Sequence, residues 1–377
     1  MADKRLTPRA LPVAQVDSIT IANTWAAADT ATETINEKDL VLTVGATTTT
    51  ASIAQAVLEM INGDTITGNA TRSETGDNVP EFAEVTATLF SASVVYVTGE
   101  TKGKPFTLTS TEVTAGTGTA TRAAVTAASG PNHWDNVDNW GGSAIPADTD
   151  VIYLDNCDTD ILYGLGQSAI EPAAFYISMS YTGDIGLPEV NQDGDEYQEY
   201  RDQYLQIGPA ILQIGAGQGN GSGRIKIDST SDICALTVLN SGASADELPA
   251  VIWKGTNAGN TLVMRGGSLG IAVFGAEVAT LSTFTVHDGD LTLGTGVTLS
   301  GALVVNGGTV RINSLVDTSL TVNGGLVIID GTANVDQLTI RGGTVIYNTS
   351  GTLGGATVIS GDGVLDFSQA SAAVTVS

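Results

Sequence analysis

In the C-terminal third of the chain, apolar and polar residues alternate in short runs separated by paired glycines. Written as Φ-x-Φ-x-Gly-Gly-x-Φ-x-Φ, with Φ apolar, the pattern starts six times, at Leu262, Phe284, Leu303, Leu320, Leu338 and Thr357. The steps are 22, 19, 17, 18 and 19 residues, an average of 19. Alternation sends one side of each strand inward and the other out, and a fixed period of this length reads as one coil of a solenoid. The third position is Met264, Val286, Val305, Val322, Ile340 and Ile359. The eighth is Leu269, Leu291, Val310, Val327, Val345 and Val364, and the tenth is Ile271, Leu293, Ile312, Ile329, Tyr347 and Asp366. Among these and the six starts, Thr357 and Asp366 alone are not apolar, and both fall in the last coil, where a core must end against water. The glycine pairs, such as Gly307-Gly308 and Gly324-Gly325, are expected at corners that a side chain would obstruct. Asn306 and Asn323 precede equivalent corners, where their amides can form a ladder.

Propeller blades need about 40 residues, and leucine-rich repeats need a Leu/Asn signature that is missing here. Glycine pairs between strands also suit hairpins, but a sandwich of hairpins does not predict a period in which both arms recur in phase.

The N-terminal region has a different rhythm. Strand-like alternation at 18–22, 31–35 and 40–44 is followed by one helical stripe, Ile53, Val57 and Ile61, with Ser52 and Gln55 as a capping pair and Gly63 as the stop. A polar loop, 68–78, leads to further strands at 85–90, 94–98, 106–109 and 117–126. The order βββ-α-ββββ describes a small α+β domain.

Composition agrees with a mainly β chain: 45 glycines and 15% charged residues are poor material for helix. The net charge of −26 argues against binding nucleic acid or an anionic membrane. No run is apolar enough for a signal peptide or a membrane-spanning segment, so synthesis in a cytoplasm is expected. Cys157 and Cys234 are too few for a disulfide framework and are expected as free thiols. Lys4, Arg5 and Arg9 form a small positive arm that is a candidate tether for an acidic partner.

Candidate chemistry is sparse. His287, Asp288 and Asp290 lie around a corner glycine, Gly289, and turn-forming is the better account of them than a glycosidase pair. Residues 266–270 spell GxSxG, but a nucleophile elbow needs a following helix and a strand is expected instead. No catalytic constellation emerges, and no cofactor is expected. The stretch 181–204 breaks the coil rhythm, with Asp193, Asp195, Glu196, Tyr197 and Tyr200 as candidate partner-facing residues. Asn191, Asp193 and Asp195 carry oxygens at alternate positions, as calcium loops do, without the rest of an EF-hand spacing.

Two resemblances add to this reading. The stretches SITIANTWAAADTATETINEKDLVLTVG, TTASIAQAVLEMIN and FAEVTATLFSASVVYVTGETKGKPFTLTS resemble a small domain of phage tail and other virion proteins, which implies an assembly role without catalytic residues. Trp134, Asn139, Trp140 and Pro146 resemble the opening motif of β-helical adhesins and passenger domains, which implies a tryptophan cap over the first coil. The expected architecture is an arm at 1–15, a small α+β assembly domain at 16–130, a tryptophan cap with irregular coils and an acidic loop at 131–203, and a single-stranded parallel β-helix at 204–377, with eight to ten coils in all. The resemblances imply a bacteriophage capsid decoration or cement protein on the outer surface of the virion. Its partners would be the major capsid protein, other virion proteins and two further copies in a homotrimer. A tail fibre or spike adhesin that binds a host glycan is the alternative, and a polysaccharide-degrading spike is a third.

Overall fold

The computed structural model describes residues 2–74, 83–190, 199–244, 248–313, 316–331, 333, 335–349, 352–355, 357–370 and 375–376. The protein is mainly β. It divides into two compact units: one is Arg9–Asn136, and the other joins Met1–Pro8 to Val137–Ser377. The first unit is therefore inserted in the sequence of the second.

The inserted unit contains two four-stranded antiparallel sheets and one helix. One sheet runs in the order Val85–Ser91, Val94–Gly99, Val16–Ala22, Thr119–Thr126, and the other Ala70–Glu74, Lys38–Val44, Thr30–Ile35, Leu108–Val113. The helix, Thr50–Ile61, buries Ile53, Ala54, Val57 and Met60 in one core with Ile19, Ile21, Leu42, Val95 and Val97. Its cap is Thr49 rather than Ser52: Thr49 is extended, at φ −85° and ψ 156°, and its hydroxyl accepts the Ser52 amide. Gly63 ends the helix at φ 72°. The strand Ala70–Glu74 falls in the stretch read as polar loop, since an edge strand is held by main-chain pairing to Lys38–Val44 and needs no apolar alternation. Glu33 is fully buried in this unit, where the Ser110 hydroxyl donates to its Oε2 while Oε1 has no hydrogen-bond partner. Burial pushes this carboxyl up to about 8, against the lowering effect of the Ser110 bond.

The second unit is a β-solenoid of about ten turns. Its first face is a 13-stranded parallel sheet and its second a nine-stranded parallel sheet. The short pair Ala279–Leu281 and Val297–Leu299 lies off both. On the first face the register runs Leu262, Phe284, Leu303, Leu320, Leu338, Thr357, which are the six starts of the sequence pattern. On the second face Leu269, Leu291, Val310, Val327 and Val345 stack in the same way. All eleven of these residues but Thr357 are buried, and like packs on like from rung to rung.

The corners explain the glycines. Gly267, Gly289, Gly308, Gly325 and Gly343 have φ between 76° and 93°, and a Cβ on Gly308 would lie 2.3 Å from the Gly289 carbonyl oxygen. That carbonyl accepts the Thr309 amide at 2.8 Å, and the next corner repeats the bond from Leu326 to Gly308 at 2.9 Å. Asn323 Nδ2 donates to Asn306 Oδ1 at 2.8 Å, so the expected amide ladder is present.

The last coil corrects the sequence alignment by one residue. Val345 pairs with Leu365, not Val364, and Asp366 pairs with Ile346. Asp362 adds a residue to the corner, so Asp366 takes an outward position and is not a polar end of the interior column. The Phe367 ring instead meets that of Tyr347, at 5.8 Å between centroids.

The coils also begin ahead of the regular repeats. Val151–Leu154 and Ala174–Ser178 belong to the first face, and Asp3–Arg5 pairs in parallel with Val151–Leu154 at its end. Residues 3–5 of the expected arm are thus a rung of the sheet.

Candidate functional site: the charged belt of the early coils

The early coils bury charge. Lys226 lies in the strand Ile225–Asp228, between the inward-facing Ile225 and Ile227, and is itself 1% exposed. Two residues from outside the strand are its partners: Lys226 Nζ donates to Glu189 Oε1 at 2.5 Å and to Gln203 Oε1 at 3.0 Å. The ammonium also lies 5.1 Å from the Phe274 ring centroid. Burial lowers the Lys226 pKa, and the Glu189 carboxylate opposes that shift.

One rung further, Lys254 Nζ lies 4.1 Å from the Tyr204 ring centroid, 3.4 Å from Glu277 Oε1 and 3.8 Å from Asp228 Oδ2. Burial, with Glu277 next in weight, raises the Tyr204 hydroxyl far above its ordinary range. Arg201 forms a two-bond fork with Glu199, at 2.6 and 2.7 Å, and stacks near the rings of Tyr200 and Tyr163. Arg224 pairs with Asp184 at 3.1 Å, and burial raises the Asp184 carboxyl while Arg224 opposes it.

Beside this belt is a cleft of about 290 Å³ lined by Glu189, Arg201, Asp202, Gln203, Tyr204, Gln206, Lys254 and Glu277. Amides, carboxylates and ammonium groups around an aromatic ring offer both donors and acceptors, a lining suited to a hydroxylated ligand. Lys226, Lys254 and Glu277 were not candidates in the sequence. The signal for the two lysines was their place in short apolar strands, IKID and VIWK, and Glu277 carried none.

The residues singled out from sequence are dispersed. Lys4 is buried and donates to the Ala144 carbonyl at 3.1 Å, while Arg5 pairs with Asp155 and lies 4.4 Å above the Tyr153 ring. Both engage the solenoid unit; Arg9 is exposed and belongs to the inserted unit. Asn139, Trp140 and Pro146 are buried in the solenoid unit, where Leu6 bridges Trp140 and the Thr7 amide donates to the Asn139 carbonyl at 2.7 Å. Trp134 is buried and belongs to the inserted unit. Tyr200 sits in the Arg201 stack, whereas Asp193, Asp195, Glu196 and Tyr197, with the calcium-like run, lie outside the described residues.

Ser268 of the GxSxG match opens a strand, Ser268–Ile271, as expected for a repeat corner. Asp288 accepts the amide of its neighbour Gly289 at 2.8 Å, a turn contact. His133 Nε2 lies 2.8 Å from the Gly103 carbonyl, and its hydrogen bond to Asp135 lowers that carboxyl. Among the described residues, no cluster of His, Cys, Asp and Glu is arranged to hold a metal ion, and no helix is long and apolar enough to cross a membrane. The chain matches no family model, and no curated protein matches it.

Proposed function

We propose that the chain is a non-catalytic structural protein of a bacteriophage particle that decorates and stabilises the capsid exterior. In this reading the inserted unit is a small α+β assembly module that contacts the shell, and the solenoid is the rigid part. The observation that carries it is the insertion: Arg9–Asn136 is joined to the solenoid unit at both of its ends. Two covalent connections restrict a module more than one does and suit it to bearing load. The filled aliphatic interior of the coils fits a rod better than a reaction vessel.

Gel densitometry of purified particles tests this reading. A decoration protein is present in many copies per shell, and the isolated chain should bind shells that lack it and raise their melting temperature. A handful of copies per particle, with no binding to shells, would overturn it.

The cleft beside Tyr204 favours a second reading, an adhesin for a surface glycan. The isolated chain should then bind immobilised host polysaccharide, and Glu277→Gln with Gln206→Ala should weaken that binding at least tenfold. Equal binding by the variant removes the cleft from consideration.

A further inference from the structure

One outward column of the first face is free of charge, although Arg5 and Asp336 lie elsewhere in the strands of that face. On the second face, outward positions include Asp228, Lys254, Asp290, Arg311 and Asp330. On the first face, one outward column runs rung by rung from Gln213 to Val358 through Thr285, Val304, Thr321 and Thr339, and no member of its eight rungs is charged. These side chains alternate with the buried column and are half-buried or exposed. At ~4.8 Å per rung, the seven steps make a strip about 34 Å long. The stacked rings of Tyr153 and Tyr176, 5.4 Å apart, continue the same column beyond Gln213.

We propose that this uncharged strip is a self-association surface on which a second copy of the chain packs face to face. Two observations select that occupant. Charge is the first: copies that each carry −26 repel one another, and an uncharged strip is where they approach with least repulsion. Period is the second. Short β-branched side chains repeating at the strand spacing interdigitate along a whole strip only with a surface of equal spacing, and a second copy has that spacing by construction. An isologous pair uses the same patch on both partners and so meets this condition along its full length. The inference stands apart from the capsid reading, because it holds for a fibre or an adhesin as well.

A strip of this length, with one column on either side, buries about 1,000 Å² in total, the low end of specific interfaces. Association across it should tighten as salt screens the net charge.

Sedimentation of the full chain over a range of concentrations tests this, with the double variant Val304→Lys, Thr321→Lys beside wild type. Lysine lowers the overall negative charge, so a general repulsion effect would favour association, while two ammonium groups buried in the strip oppose it. The charge-matched control is Thr309→Lys, Thr344→Lys on the second face, and circular dichroism confirms that each variant is folded. Wild type and control should associate, and the strip variant should remain monomeric at a tenfold higher concentration. Wild type that stays monomeric at high concentration and high salt would overturn the proposal, as would a folded strip variant that associates like wild type.

Discussion

The early and the regular coils share one parallel sheet but solve different problems. In the regular stretch, successive rungs are 17 to 22 residues apart, the first-face interior column is aliphatic apart from Phe284 and Thr357, and left-handed glycines turn the corners. In the early stretch, the spacing from Ile152 to Phe175, Leu212, Leu236 and Leu262 is 23, 37, 24 and 26 residues. The longest step holds the excursion that brings Glu189 and Gln203 to Lys226. A buried charge needs a partner found at no other rung, so it must be supplied by extra chain, and repetition is lost. Regularity and buried chemistry exclude each other within one coil.

The largest effect that can break this comparison lies at the corners. Gly308→Ala must accept both a φ of 76° and a Cβ 2.3 Å from a carbonyl oxygen, and should destabilise its coil by roughly 5 kcal/mol. Gly217→Ala in an early coil, at φ 85° with no heavy atom within 4 Å of its Cβ, should lose about 1 kcal/mol. Hydrogen exchange at Thr309–Ile312 and at Ile211–Ala216 reads the two. Equal losses would mean that left-handed backbone, not stacking, dictates the glycines.

The inserted unit handles charge in a third way, with a buried carboxyl, Glu33, that pairs with a hydroxyl instead of a base. Because the folded pKa of Glu33 is raised from 4.5 to about 8, the unfolded chain binds fewer protons than the folded one between these values. Stability of the unit should therefore fall as pH rises from 4.5 to 8, by on the order of 4 kcal/mol. Glu33→Gln should flatten this dependence, as measured by denaturation of the unit at pH 5, 7 and 9. A slope unchanged in the variant assigns the dependence to other groups.

A smaller loss is expected at Lys226→Ala, about 2 kcal/mol, below the usual range for a broken buried pair because the Glu189 side chain is 35% exposed and can rehydrate. Faster exchange should be confined to Ile225–Asp228 and Val251–Lys254, with Leu326–Gly331 unchanged. Smallest is Asn323→Ala, which removes two exposed hydrogen bonds, one donated to Asn306 and one accepted from Arg341, and should shift stability by no more than about 0.5 kcal/mol.

What could be read from sequence follows the same division. The register of the regular coils was legible because the interior positions, Thr357 excepted, are occupied by apolar side chains at nearly the same spacing. It slipped in the last coil, where Asp362 lengthens a corner that pattern matching holds at fixed length. The early rungs Val151–Leu154 and Ala174–Ser178 had no period to follow. Asp3–Arg5 had no apolar residue at all, since its rung is held by main-chain pairing and by the contacts of Lys4 and Arg5. Lys226 and Lys254 were hidden because a lysine announces a surface until the segment that covers it is known. Trp140 and Asn139 were found through the resemblance of their segment to the opening motif of β-helical adhesins, yet Leu6 and Thr7, which meet them, lie more than a hundred residues away.

That last separation has a consequence for biosynthesis. Asp3–Arg5 leaves the ribosome well before the strand it pairs with, Val151–Leu154, and all of Arg9–Asn136 emerges between them. The intervening unit can fold while its leading flank is still unpaired, and in doing so it shortens the loop that the first rung must close. A chain deprived of residues 2–8 would still wind its coils, but it would leave the Val151–Leu154 main chain as an open template for the next molecule.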